Sequence, residues 1–390
     1  MPFETPAPPA LSEGESNASP RRRDWAAGAL GDASRAALAE DAELFLHQSV
    51  STPCLSVIVK AEGPWIEDAE GRRYLDFHGN NVHHIGYGHP LKLARAATGR
   101  FKTVSFWDAF HGAGFGASSV GGEQLFRSNL VGPLLAGTEH VAPFACYRCP
   151  YGYPETDGQP NLDLCRMTCA NMVRYVLEKE GDVAAVIAEP ARAVPYVPPP
   201  GFWAAVRQAC DDMGALLIFD EIPTVMGKGL GGGILPIAAV IARPGLDVAG
   251  DYAFGHYTHE KNPVTTRAGL TTIEIIEDEN LVENAATLGA YALDRLHDMK
   301  GRLDVVGDVR GRGFLMGVEL VMDRAGKEPA VALAEDVLYR CLDGGLSFKI
   351  SMGNTLTLTP PLVVTRDQMD LALDVLKAAI ADAARAAGLA

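Results

Sequence analysis

The chain has 390 residues, with 34 Lys and Arg, 49 Asp and Glu, and a formal net charge of −15. This length suits two domains or one large α/β enzyme domain, and a hydrophobic content of 47% excludes a wholly disordered protein. The acidic balance disfavours nucleic-acid binding and docking on an anionic membrane, since both need a basic surface.

The sequence predicts neither a membrane segment nor a secreted protein. No window is apolar for long enough to cross a bilayer, and the basic run Arg21-Arg22-Arg23 is not followed by an apolar segment. Seven Cys, an odd number, do not indicate a disulfide framework. We therefore expect a cytoplasmic protein.

The first 90 residues divide into a tail and a small folded part. Residues 1–23 are rich in Pro, Ser and Glu, which predicts a disordered tail. Residues 24–90 then begin with a helical pattern and continue with short apolar runs around Val57 and Tyr74, which are typical of a β-meander. We assign them to the N-terminal part of a small domain.

Residues 91–275 alternate between strand and helix patterns, as in a parallel sheet with helices on its faces. The predicted strands and helices of this large domain are Lys102–Phe106, Val183–Ala188, Ala215–Phe219, Asp163–Lys179 and Phe202–Met213. Residues 276–390 read as an α+β domain, with a strand around Thr355–Leu358 and a last helix over Arg366–Ala386. The fold class is therefore α/β, with a mostly parallel central sheet and a smaller α+β domain from the N- and C-terminal parts.

Two segments carry most of the chemical signal. An apolar run ends in Asp220 and Glu221, and Lys228 follows between glycines. Carboxylates at the carboxyl ends of parallel strands are typical of binding sites. A nucleotide loop is a weaker interpretation, because Lys228 precedes a Gly instead of the Ser or Thr of a Walker A motif. Gly227, Gly229 and Gly232 fit G-x-G-x-x-G, but no clear helix begins there; a solvated lysine in a Gly-rich turn is the other alternative.

Several motifs together resemble the class III aminotransferases, which are pyridoxal-phosphate (PLP) enzymes of fold type I. They follow the family's order over nearly all of the chain past residue 50, and include Gly86-Tyr87-Gly88-His89-Pro90, Ala109-Phe110-His111-Gly112, Ile187-Ala188-Glu189-Pro190, Asp220-Glu221, Gly227-Lys228-Gly229, Tyr257-Thr258-His259 and Pro360-Pro361-Leu362. The resemblance implies the PLP-dependent transferase fold, with residues 91–275 as the cofactor-binding domain.

The resemblance also implies roles for individual residues. Lys228 would bind PLP covalently and move protons, and Asp220 would keep the pyridine nitrogen protonated. Phe110 would stack on the ring, with His111 and Gly112 beside it. Thr258 would reach the cofactor phosphate of a neighbouring subunit, which implies a homodimer with shared active sites.

Two family segments are missing from the sequence. Only seven residues separate Asp220 from Lys228, although the family places them on neighbouring parallel strands, whose connection takes about a dozen residues or more. The second gap follows Pro90, where the family's Ser/Gly-rich phosphate-binding turn is not found. The sequence leaves open whether this is a truncated product or a natural paralogue with weakened PLP binding.

The substrate is expected to be a small anionic primary amine. Thr357 stands where many family members carry a carboxylate-binding arginine, which argues against an ordinary α-amino acid. Segments around Asn80 and Asn81, Thr258 and Lys349 are similar to the lyases of aminoethylphosphonates, especially (R)-1-hydroxy-2-aminoethylphosphonate ammonia-lyases. Asn80, Asn81, Lys349 and the strand-end Glu189 are therefore candidate substrate residues; for Glu189 a structural ion pair is an equal alternative.

The resemblance implies conversion of 1-hydroxy-2-aminoethylphosphonate to phosphonoacetaldehyde and ammonia. Transamination of an ω-amine or amino acid shares the first steps and stays open, as does a deletion-damaged, non-catalytic paralogue.

Four cysteines form a separate constellation. Cys146, Cys149, Cys165 and Cys169 have the spacing C-x2-C-x15-C-x3-C, which is acceptable for a structural zinc site. Reduced cysteines lining a loop are the favoured interpretation, because the expected chemistry needs no metal.

Overall fold

A computed structural model describes most of the chain. The described residues are 20–44, 57–62, 65–75, 89–112, 114–127, 132–156, 158–222, 224, 229–232, 235–248 and 262–389. They form two compact units: unit 1 takes its residues from 1–101 and 239–262, and unit 2 from 102–238 and 263–390.

Unit 1 combines helices with a small antiparallel sheet. Its elements are α1 (Pro20–Ala29), α2 (Asp32–Leu44), β1 (Ile58–Glu62), β2 (Trp65–Asp68), β3 (Arg73–Leu75) and α3 (His89–Thr98), with a 3-10 turn at Pro244–Leu246. The strands pair in the order β1-β2-β3. Glu70, in the turn after β2, accepts hydrogen bonds from the Ser34 hydroxyl at 2.8 Å and from the Gly31 amide at 3.1 Å, which fixes the start of α2 against the sheet.

The predicted tail is too long at its C-terminal end. Helix α1 begins at Pro20, so residues 20–23 are helical, whereas residues 1–19 lie outside the described part of the chain. Proline suits the first turn of a helix, where its missing N–H would have no partner in any case.

The first part of unit 2 is a parallel sheet with helices. Its elements are β4 (Lys102–Phe106), α4 (Phe115–Val120), β5 (Thr138–Val141), β6 (Glu155–Thr156), β7 (Gln159–Pro160), α5 (Leu162–Cys165), α6 (Thr168–Glu180), β8 (Val183–Ala188), α7 (Phe202–Met213) and β9 (Leu216–Phe219). The strands β5-β4-β8-β9 lie side by side and all pairs are parallel. Every residue of β8 is buried, as expected for a central strand covered on both faces.

Helix and strand ends follow local chemistry in this region. Helices α6 and α7 end at Gly181 and Gly214, which have φ of 70° and 66°, a left-handed conformation that favours glycine. The helix predicted over Asp163–Lys179 is instead interrupted, because Arg166 and Met167 adopt left-handed φ values of 46° and 51°. It is therefore two helices, α5 and α6.

The rest of unit 2 is an α+β arrangement. Its elements are α8 (Pro263–Asp278), α9 (Leu281–Arg302), β10 (Val306–Arg312), β11 (Leu315–Leu320), α10 (Val331–Asp343), β12 (Lys349–Ser351), β13 (Thr355–Leu358) and α11 (Arg366–Ala386). The antiparallel sheet has the order β10-β11-β13-β12. The final helix begins with a complete capping box between Thr365 and Gln368.

The boundaries proposed from the sequence at 90/91 and 275/276 stay predictions. In the structure α3 and α8 each run across one of these positions, and the parallel sheet and the C-terminal α+β part belong to the same compact unit. Among the described residues, no helix is long and apolar enough to span a membrane.

Candidate active site

The carboxyl ends of three neighbouring strands bring the polar residues together. Strand β4 leads through a short turn to His111, β8 leads to Glu189, and β9 leads to Asp220. Ala188 pairs with Phe219, and the Asp220 amide donates to the Ala188 carbonyl at 2.8 Å, so Glu189 and Asp220 leave the sheet side by side. This edge is where open α/β sheets bind ligands.

Asp220 is held by a buried histidine. Nδ1 of His111 lies 2.9 Å from Oδ2 of Asp220, and their side chains are 2% and 16% exposed. An ionised carboxylate can only accept, so Nδ1 donates. Nε2 of His111 lies 3.4 Å from the Ser105 hydroxyl, and the Ile222 amide donates to the other oxygen of Asp220 at 3.3 Å. The carboxylate thus has a fixed orientation.

Phe110 and Gly112 flank this histidine in the turn. The Phe110 side chain is 40% exposed and packs against Phe126 with ring centroids 4.7 Å apart. An exposed aromatic ring beside Asp220's partner fits the predicted stacking role. Gly112 has φ of 114°, where a side chain would be strained, so glycine is required for the turn to have this shape.

Glu189 is a buried carboxyl group with an imperfect partner. Its side chain is 6% exposed, and its ion-pair partner, Nε of Arg192, lies 3.9 Å away. Burial raises the pKa of Glu189, although Arg192 and His111 act in the opposite direction. Glu189 therefore lies beside His111 and Asp220, and its two interpretations, pocket residue and structural ion pair with Arg192, both stay predictions.

Other predicted residues are not part of this cluster. Lys349 is exposed on β12 of the antiparallel sheet and pairs in register with Thr357. Thr357 is buried, and its hydroxyl donates to the Ser351 hydroxyl at 3.0 Å. Its side chain is uncharged, so it cannot form an ion pair with a substrate carboxylate. The remaining predicted residues, Lys228, Thr258, Asn80 and Asn81, lie outside the described part of the chain.

The residues at hand fit a PLP site in part. The chemistry of the donor set agrees, because a pyridine nitrogen needs an oriented anionic acceptor and Asp220 supplies one, with an exposed aromatic ring next to it. Asp220 would hold the ring nitrogen and Phe110 would contact the ring face. The lysine and the phosphate contacts are still predictions.

The four cysteines line one cavity, but among the described residues they are not placed as a metal-binding group. Cys146, Cys149, Cys165 and Cys169 are free thiols around the same pocket, together with Tyr151. Burial raises the pKa of Cys146 to about 12 and that of Cys169 to about 11, so both are protonated at neutral pH. In the described ranges no group of three or more Cys, His, Asp or Glu is placed to hold a metal ion, and zinc stays a hypothesis.

Sequence reasoning missed two residues of this region, Ser105 and Arg192. Ser105 is fully buried near the end of β4, and its role depends on a contact six residues away. Arg192 lies three residues after Glu189, and its side chain is 7% exposed. A cation this close to a strand-end carboxylate was the signal in the sequence that could have identified it.

A family profile matches the chain in two pieces. The profile described as "Aminotransferase class-III" matches residues 91–227 and 224–380. The two matches overlap at residues 224–227, between Asp220 and Lys228, where the sequence predicted a missing connection. The predicted gap after Pro90 stays a prediction.

Curated relatives have several activities. The chain is 39% identical over 455 residues to an (R)-1-hydroxy-2-aminoethylphosphonate ammonia-lyase from Vibrio splendidus, which covers 95% of this chain and 95% of that protein. An alignment longer than this chain of 390 residues requires gaps on this chain's side. A leucine/methionine racemase from Thermococcus litoralis is 36% identical over 320 residues, covering 75% of this chain and 70% of the racemase.

Solved structures share the fold. An amine transaminase from an uncultivated Pseudomonas species, in its PLP-bound form, superposes with a TM-score of 0.70 at 25% identity, covering 84% of this chain and 95% of that one. An aminotransferase from Bacillus anthracis gives a TM-score of 0.68 at 24% identity, covering 91% of this chain and 100% of that one. The predicted fold type I and PLP dependence are confirmed, and the chain belongs to the class III aminotransferase family.

Proposed function

We propose that this chain is a PLP-dependent ammonia-lyase that acts on a small amino phosphonate, 1-hydroxy-2-aminoethylphosphonate. The observation that carries the proposal is the similarity to an ammonia-lyase of that substrate over 95% of both chains, whereas the racemase match covers 75% and 70%. The buried, uncharged Thr357 also supports a substrate other than an ordinary α-amino acid.

The oriented carboxylate at the sheet edge supports this chemistry. When bound, PLP supplies an electron sink for the negative charge left on a carbon next to an amine. Asp220, fixed by His111, holds a proton on the ring nitrogen and so maintains that sink. Lys228, by family resemblance, takes the proton from the substrate carbon.

The overall reaction needs no second substrate. The C–H bond next to the amine breaks, and the hydroxyl leaves from the carbon that bears the phosphonate. Water then replaces the nitrogen, so that one water is lost and one is added. The products are phosphonoacetaldehyde and ammonia.

Two alternatives have specific support. The fold shared with an amine transaminase favours transamination of an ω-amine. The division of the profile match at residues 224–227 supports a non-catalytic paralogue that lacks part of the cofactor site. We further propose a cytoplasmic homodimer with shared active sites, which size-exclusion chromatography coupled to light scattering can test.

Absorbance and product analysis test the proposal. Purified protein with added PLP is expected to show the band of lysine-bound cofactor, which borohydride shifts irreversibly, and Lys228→Ala should lack it. Ammonia released without a keto acid supports the lyase. Release of amine nitrogen only when a keto acid is present supports the transaminase. A chain that shows no cofactor band under any condition is the non-catalytic paralogue.

A further inference from the structure

Arg192 is a buried cation whose hydrogen-bonding capacity is only partly used. The Nη2 group donates to the Asp108 carbonyl, but Nε and Nη1 are buried and have no hydrogen-bond partner among the described residues. With its side chain 7% exposed, Arg192 is more than nine-tenths buried. Buried polar groups are nearly always paired, so two unpaired donor nitrogens on one guanidinium indicate a ligand.

The position of Arg192 places it beside the candidate active site. Asp108, which accepts its hydrogen bond, belongs to the turn that leads from β4 to Phe110 and His111. Glu189, the neighbouring carboxyl group, leaves the sheet next to Asp220. Arg192 therefore contacts the turn that carries His111 and the end of β8, the strand that pairs with β9 just before Asp220.

The charge of Arg192 is weakly neutralised compared with that of another buried arginine. Arg310 lies 2.8 Å from Asp308 and 2.7 Å from Glu319, so two carboxylates match its charge. For Arg192 the ion-pair partner in the described part of the chain, Glu189, is 3.9 Å away, beyond hydrogen-bond distance. Burial also raises the pKa of Glu189, which weakens its anionic form further.

We infer that Arg192 binds the phosphonate group of the substrate through its free Nε and Nη1 donors. This inference rests on the proposed function and names the residue that selects for the substrate's anion. Arginine suits a tetrahedral phosphorus oxyanion, because its N–H groups are spread around a planar cation. The phosphate of PLP has the same chemistry. The substrate is favoured because the family's usual substrate-binding arginine is replaced by the uncharged Thr357.

Substrate kinetics test the inference directly. In Arg192→Gln, the KM for 1-hydroxy-2-aminoethylphosphonate should rise about 10- to 100-fold, as expected for the loss of charged hydrogen bonds, with a smaller change in kcat. Arg192→Lys should recover part of the loss. Activity on 1-amino-2-propanol, which has a methyl group in place of the phosphonate, should be the same in Arg192→Gln and in wild type, because this compound has no anion for Arg192 to bind. The control Arg174→Gln removes an arginine paired with Asp212 on the surface and should behave as wild type.

Two further measurements distinguish binding of the substrate's anion from binding of the cofactor phosphate. Methylphosphonate should inhibit wild type competitively and Arg192→Gln much more weakly, while the affinity for PLP stays the same in both. A weaker PLP affinity with unchanged methylphosphonate inhibition would assign Arg192 to the cofactor phosphate and overturn the inference. An unchanged KM in Arg192→Gln would overturn it as well.

The proposed function can be wrong while the inference about Arg192 is correct. If wild type releases no ammonia from any phosphonate, binding of methylphosphonate to the PLP-loaded protein is measured by calorimetry. Binding that disappears in Arg192→Gln and partly returns in Arg192→Lys supports the inference alone. Equal binding to all three proteins contradicts it.

Discussion

The two sheets of unit 2 differ in how well the last strand along the chain is covered: β13 lies inside its sheet, between β11 and β12, whereas β9 has a described neighbour on one side only. In the antiparallel sheet every residue of β13 is buried, and the surrounding core includes the fully buried Leu356, Leu320 and Ile380. In the parallel sheet β8 is buried throughout, but β9 is the edge strand among the described strands. Its first three residues are half-buried, and Phe219 is 39% exposed.

This difference falls where the family profile is interrupted. The match breaks at 224–227, just after β9, whereas it is continuous from 224 to 380 across the antiparallel sheet. Among the described residues β9 has a strand on one side only, whereas β13 has one on each side. The less covered strand is the one that leads to Asp220.

The largest expected effect comes from breaking the ionic connection between the two regions. Glu319 on β11 is 1% exposed and pairs with Arg148, which follows β5, and with Arg310. Glu319→Ala should cost about 3 to 5 kcal/mol, because it leaves the buried Arg310 with Asp308 as its one remaining carboxylate partner among the described residues and removes the carboxylate that pairs with Arg148. Urea unfolding measures this. Asp336→Ala, which removes an exposed pair with Arg340 on the same half, should cost about 0.5 kcal/mol or less. Equal losses of unfolding free energy in Glu319→Ala and Asp336→Ala would show that Glu319 contributes no more than an exposed ion pair.

A change at the carboxyl edge of the parallel sheet should affect activity without affecting stability to the same degree. Asp220→Asn removes the negative charge but keeps the size of the side chain, so kcat should fall about 100-fold or more. Steady-state ammonia release measures it. The matched control, Asp212→Asn at an exposed position of α7, should keep wild-type activity. Retained activity in Asp220→Asn would show that Asp220 does not hold the pyridine nitrogen of the cofactor.

Core truncations compare the sheets directly. Leu356→Ala in β13 should lower the free energy of unfolding by about 2 to 5 kcal/mol, because a fully buried side chain leaves a cavity. Leu217→Ala in half-buried β9 should cost roughly 1 kcal/mol, since less apolar area returns to water. Denaturant midpoints give both values. A larger cost at Leu217 would mean that β9 is covered by residues beyond the described ranges.

The smallest effect is a pH dependence in the parallel-sheet half. His140 stacks on Trp107 at 4.7 Å, and its Nε2 donates to the Gly121 carbonyl at 3.0 Å; burial and nearby Arg127 lower its pKa below 6.5. Unfolding lets His140 bind a proton more readily, so stability is complete above pH 6.5 and falls as the pH drops through the folded pKa. Thermal melts from pH 7.5 to 5 measure the slope. His140→Phe should flatten it, and an unchanged slope would assign it to other groups.

Periodic patterns predicted much of the fold. The strands Lys102–Phe106, Val183–Ala188 and Thr355–Leu358 and the helices Phe202–Met213 and Arg366–Ala386 occur with the predicted bounds. Val183–Ala188 is uniformly apolar, the other two strands alternate polar and apolar residues, and the two helices are long, so local sequence favours these conformations. Strand β5 was not predicted, because Thr138–Val141 contains the polar residues Glu139 and His140 and is a strand only through pairing with β4.

Spatial relations in the site could not be read from spacing alone. His111 and Asp220 are 109 residues apart, and only the order β4-β8-β9 brings them to one edge. The same order leaves Arg192 buried beside Glu189 with donors that no described residue accepts, which depends on three-dimensional packing. By itself, the sequence determined the family, the strand-end carboxylates and the short connection from Asp220 to Lys228, because these are properties of residue type and order. The tertiary structure decided which side chains meet and which donors are left over for a ligand, because contact and burial arise only when distant segments pack together.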